Sequence, residues 1–113
     1  MLFETQGDSR KPAVLFFHAM GVTGASSEPV AQYLRDSYYC ILPTATVYCA
    51  GQRYRGKADE VRQVTEFLRE KGVASLALVV ASSLGADLAM AFLTQTEIPV
   101  GHVFFDGGQF AQI

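Results

Sequence analysis

Three features of the sequence predict an α/β fold, a doubly wound and mostly parallel sheet of four to five strands. Short apolar runs recur along the chain, amphipathic helical segments alternate with them, and one run, Leu76–Ala81, passes straight into a helix at a pair of serines. Runs without polar interruption are what strands buried on both faces look like, and strands alternating with helices build a parallel sheet with right-handed crossovers. The 113 residues are 50% hydrophobic and 18% charged, which suits a single domain over residues 1–113 with a modest core.

Taken in order, Leu2–Thr5 gives a weak edge-strand signal, and Lys11-Pro12 introduces the apolar run Ala13–His18. A glycine-rich loop, residues 18–25, follows, and Ser26-Ser27-Glu28-Pro29 supplies a capping serine and a first-turn proline for a helix. Val30, Ala31, Tyr33 and Leu34 give that helix an apolar side, and Arg35-Asp36 closes it. Tyr38–Leu42 is the next strand, stopped by Pro43, and Thr44–Lys57 is polar and irregular. An amphipathic helix is predicted from about Ala58 to Lys71, with Val61, Val64, Phe67 and Leu68 on its apolar face and Gly72 marking its end. The run Leu76–Ala81 is then expected to be buried on both faces. A helix over Leu84–Leu93, apolar all round except for Asp87, is expected to pack centrally. Pro99–Phe105 is the last strand, ended by Asp106-Gly107-Gly108.

Ser83 falls at the strand-to-helix junction, flanked by Ala81 and Gly85, because a strand that turns abruptly into a helix crowds the backbone on either side of the turn. Ala81-Ser82-Ser83-Leu84-Gly85 resembles the nucleophile elbow of the α/β-hydrolase superfamily, with Ala81 where the commoner form has glycine. The plainer alternative is that the two serines only cap the following helix. The resemblance extends from about Pro12 to Phe105. It implies a three-layer sandwich in which the Val14 strand lies between the Tyr39 strand and the elbow strand.

The resemblance also implies roles. Ser83 would be the nucleophile of a serine hydrolase, and the Leu84 backbone N–H the first donor to the oxyanion. His18-Ala19-Met20-Gly21 is similar to the family's His-Gly-x-Gly loop, which maps the second donor to the Met20 N–H; otherwise it is a glycine-rich turn. Asp106 ends the strand after the elbow helix, where some members carry the catalytic acid, and Asp-Gly-Gly is equally a good turn. Neither histidine matches the family's catalytic base. His18 corresponds to the loop's own structural histidine, or, since its strand should neighbour the elbow strand, to a base that approaches Ser83; His102 starts a strand about 13 Å, four steps of roughly 3.3 Å, from the end where Asp106 lies. The resemblance therefore implies an N-terminal portion of the fold, ending before the lid and the histidine loop, and inactive by itself.

An ester, thioester or similar acyl bond is the expected target, in an uncharged small molecule, since Met20, Leu84 and Tyr48 fall near the expected site. No cofactor and no metal is expected. Arg53 and Arg55 are candidates for an anionic group or for plain solvation. A net charge of −2 without basic clusters argues against nucleic acid, and no apolar run is long enough to span a bilayer. With no signal-peptide pattern at Met1–Asp8, and Cys40 and Cys49 read as free thiols, the cytoplasm is the expected compartment.

Two other classes compete with an enzyme. Gly21-Val22-Thr23-Gly24 looks like part of a dinucleotide-binding loop, but Glu28 and Val30 stand where the later glycines belong, and no acidic residue ends the next strand. A non-catalytic scaffold is the other, because the apolar last strand, Val100–Phe105, predicts an edge that self-associates or pairs with a partner strand.

Overall fold

The computed structural model describes residues 1–18, 28–82 and 85–106. Five strands form one sheet: β1 (Leu2–Gln6), β2 (Ala13–Phe17), β3 (Tyr39–Thr44), β4 (Leu76–Ser82) and β5 (Val100–Asp106), in the order β1-β3-β2-β4-β5. Only β1 runs antiparallel, and the Val14 strand lies between the Tyr39 strand and β4, as expected. Among the described residues three α-helices connect them: α1 (Glu28–Leu34), α2 (Lys57–Glu70) and α3 (Gly85–Gln95).

Alternation along the strands sends side chains to two cores. Ala13, Leu15 and Phe17 of β2 pack with Tyr39 and Ile41 of β3 under Val61, Val64 and Leu68 of α2 and Ala86, Ala89 and Phe92 of α3. On the opposite face, Val14, Phe16, Cys40 and Leu42 pack against Ala31 and Leu34 of α1. This is a helix–sheet–helix sandwich, with two helices on one side and one on the other. Phe3 brings β1 into the larger core by stacking on Phe67 of α2, ring centroids 4.0 Å apart. Helix α2 ends at Gly72, whose φ of +69° is the left-handed conformation that glycine adopts without strain.

Four expectations are corrected. β3 does not stop at Pro43 but runs to Thr44, because beyond Ile41 it pairs only with β1, where a residue lacking an N–H is tolerated. β4 is half-buried rather than buried on both faces: α1 packs over β3, leaving Leu78 and Val80 partly open. Nor is α3 central, since it packs beside α2 on the outer side of the sheet and is covered along one face. It buries Gly85, Ala86, Ala89 and Phe92 along one face and exposes Met90 and Asp87. Among the described side chains of α1, Ala31 and Leu34 pack inward, whereas Val30 and Tyr33 face solvent. No described helix is long and apolar enough to cross a membrane.

Candidate active site

In a parallel sheet every connection leaves from the same edge, and β2, β3, β4 and β5 here end side by side at Phe17, Thr44, Ser82 and Asp106. The chain leaves β2 for α1 on one face and leaves β4 for α3 on the other. A crevice opens where adjacent strands send their connections to opposite faces, and that is where open α/β sheets bind ligands. A cavity of about 310 Å³ lies there, lined by Phe17 and His18 from the end of β2, Tyr48 and Tyr54 from the segment after β3, and Gly85 and Leu88 from the start of α3.

The junction between β4 and α3 is held tightly against β2. Phe17 pairs with Ala81 across the parallel ladder, and Ala81 is fully buried. A Cβ on Gly85 would stand 2.2 Å from the His18 carbonyl oxygen and 2.6 Å from that of Phe17, distances no side chain tolerates. Gly85 is thus required because the first turn of α3 is pressed onto another strand's backbone. Of the predicted site residues, Ser83 and Leu84 are the two between Ser82 and Gly85; they and Met20 lie outside the described residues. Asp106 is placed through its backbone, opposite Ser82 in the β4–β5 register. The ends of β2, β4 and β5 thereby bring the flanks of all four positions to one edge of the sheet.

His18 is nearly buried, and its Nε2 accepts a hydrogen bond from the Ala45 N–H at 3.0 Å; Tyr48 meets the ring edge-on at 5.7 Å between centroids. An accepting Nε2 carries no proton, so the imidazole ties the end of β2 to the segment after β3. His102 is exposed, pairs with Leu78 in the middle of the edge strand β5 and lies away from the strand ends at the cavity.

Two features escaped the sequence. Glu60, in the first turn of α2, is almost fully buried beside the cavity and accepts from the Thr46 N–H at 2.8 Å, from the Thr46 hydroxyl and from Gln63 Nε2 at 3.3 Å. Its signal was available, since Glu60, Val64 and Leu68 recur at the four-residue spacing of the apolar face. The second is an ion pair across the cavity rim, Lys57 Nζ to Asp87 at 2.8 Å, joining the first turns of α2 and α3. The hydrogen bond to Asp87, and then its charge, raise the Lys57 pKa. Among the described residues, no group of three or more histidine, cysteine or acidic side chains is placed to hold a metal ion.

Comparison with solved structures agrees on the architecture. The chain superposes on a protein from Desulfitobacterium hafniense described as a putative α/β-hydrolase family member with a TM-score of 0.82 at 22% identity, covering 92% of this chain and 43% of that one. A thermophilic esterase from Thermogutta terrifontis gives 0.79 at 17%, over 92% and 39% of the two chains. An epoxide hydrolase of the α/β-hydrolase superfamily from hot-environment metagenomes gives 0.79 at 15%, over 91% and 36%. No protein-family model matches the chain, and no curated protein does. The chain spans less than half the length of each of these structures, and at such identities the likeness establishes the fold alone.

Proposed function

The fold is that of the α/β-hydrolases, and on that premise we propose that this chain carries the nucleophile half of a serine hydrolase acting on an ester, thioester or similar acyl bond of a small molecule. The observation that carries the proposal is the junction at Gly85: a strand-to-helix turn packed so closely on the end of β2 that an added Cβ would stand 2.2 Å from the His18 carbonyl oxygen, beside a largely apolar cavity of about 310 Å³. Ser83 stands two residues before that glycine, at the position where a turn of this kind presents a hydroxyl. In the proposed step the Ser83 oxygen attacks the acyl carbonyl, and the Leu84 and Met20 N–H groups donate to the oxyanion that forms. Phe17, Tyr48 and Leu88 offer the acyl chain an apolar wall. Asp106, opposite Ser82 in register, is the proposed acid that would orient a base.

The serine's proton needs an acceptor, and neither histidine serves. His18 Nε2 is occupied by the Ala45 N–H, and His102 lies in mid-strand. The chain by itself is therefore expected to be acylated slowly and not to turn over, since positioning and oxyanion donors retain part of the rate when the base is missing. Intact mass after prolonged exposure to a fluorophosphonate tests this. One slow adduct, lost in Ser83→Ala and kept in Ser82→Ala, is expected; an unmodified protein, or an adduct that survives Ser83→Ala, removes Ser83 as the nucleophile.

A second reading rests on β5, whose Val103, Phe104 and Phe105 are exposed at the edge of the sheet. An apolar edge of this kind pairs readily with another strand, and a self-associating binding module would use it whether or not Ser83 reacts.

A further inference from the structure

The segment 52–56 runs between two depressions. Tyr54 lines the cavity described above, whereas Gln52, Arg53 and Arg55 line a separate pocket of about 230 Å³, which Asp59, Arg62 and Gln63 of α2 complete. Three guanidinium groups and one carboxylate therefore surround the second pocket, and their pairing is uneven. Asp59 is engaged by Arg62 at 2.5 Å and by Gln63 Nε2 at 2.9 Å, and Arg62 also reaches Glu66 at 2.9 Å. Among the described residues, no carboxylate lies within ion-pair distance of Arg53 or Arg55.

We propose that this pocket is a subsite for the phosphate group of a small phosphorylated ligand. Arg53 and Arg55, neither of them in an ion pair among the described residues although Arg55 also acts on Asp59 through its charge, bring two positive charges to a phosphate monoester, about −1.5 to −2 near neutral pH, whereas a single carboxylate would meet only one. All the cations lining the pocket are arginines, and the planar fork of a guanidinium matches two phosphate oxygens at once. Arg62, held by Asp59 and Glu66, forms the fixed side of the pocket. Arg53 and Arg55 form its exposed side. Because Tyr54 stands between them on the same short segment, phosphate bound here steadies the wall of the neighbouring cavity without entering it. None of this depends on Ser83.

The test is a titration of the full chain with inorganic phosphate at low ionic strength, following the arginine Nε–Hε resonances by NMR and the heat by calorimetry. Saturable one-to-one binding is expected, with shifts at Arg53 and Arg55. The double variant Arg53→Gln/Arg55→Gln should bind at least about tenfold more weakly, since each loses a charge-assisted hydrogen bond, while keeping the wild-type circular dichroism. Arg10→Gln, which alters a guanidinium already paired with Asp8, should leave phosphate affinity unchanged. Three results would each overturn the proposal: a titration that never saturates, shifts that appear equally at Arg10, or acetate that binds as tightly as phosphate.

Discussion

Strands β2 and β5 both carry valine and a Phe-Phe pair near their C-terminal ends, Val14 with Phe16-Phe17 and Val103 with Phe104-Phe105, and their surroundings are opposite. Every residue of β2 is buried, whereas Phe104 of β5 is 58% exposed. β2 has a strand on each side, α2 and α3 over one face and α1 near the other. Among the described residues β5 has one neighbouring strand, and α1 packs on β3 on the far side of β2. An apolar strand states what it is fit to pack against; how deeply it is buried depends on its rank in the sheet and on where the helices land.

The contact of α3 with the buried strand β2 should be the most sensitive place. Gly85→Ala would drive a methyl into the carbonyls of His18 and Phe17, and should cost about 3 kcal/mol or more in urea unfolding, or prevent folding. A mild effect there would mean that α3 is free to move off β2. Next in size is the direct contrast: Leu15→Ala in the fully buried strand should lose about 2–5 kcal/mol. Phe104→Ala should stay within about 0.5 kcal/mol when both are measured at low protein concentration. Equal losses would show that β5 is covered in solution, and a concentration-dependent midpoint for the wild type alone would identify the cover as another copy of the chain.

The smallest effect belongs to the exposed turn between β1 and β2. There the Arg10 side chain, and secondarily its backbone N–H, hold the Asp8 carboxyl down at a pKa of about 2, from an ordinary value of 3.8. A depressed carboxylate pKa stabilises the fold above the ordinary value, and that contribution disappears as pH falls through the folded one. Wild type and Arg10→Gln should therefore differ slightly near neutrality and converge between about pH 4 and 2, with the Asp8 titration midpoint rising in the variant.

Most of the architecture was legible because period and punctuation are local. The helix over Val61, Val64, Phe67 and Leu68, its end at Gly72 and the central place of the Val14 strand all follow the sequence pattern or its resemblance. What was not legible depends on distant partners. Pro43 is admitted into β3 by the end of the β2 ladder, and Val30 and Tyr33 are left out of the core by the orientation of α1. The site divides the same way. The crowding at Gly85 could be anticipated from the Ser83 motif, whereas Glu60 was passed over because a carboxylate on an apolar face gains its meaning only from Thr46, fourteen residues away.

That buried carboxylate also sets a clock. The segment after β3 walls the cavity, and loops without anchors rearrange in nanoseconds to microseconds. This one cannot swing aside without stripping Glu60 of the Thr46 amide and hydroxyl together, in a setting where water does not replace them. Movement of the wall becomes a local unfolding event, and the Thr46 amide should exchange with deuterium as slowly as amides of the central strands. A ligand would meet a cavity with a standing wall, and admission would be governed by the more exposed Tyr54 and the Lys57–Asp87 pair at its rim.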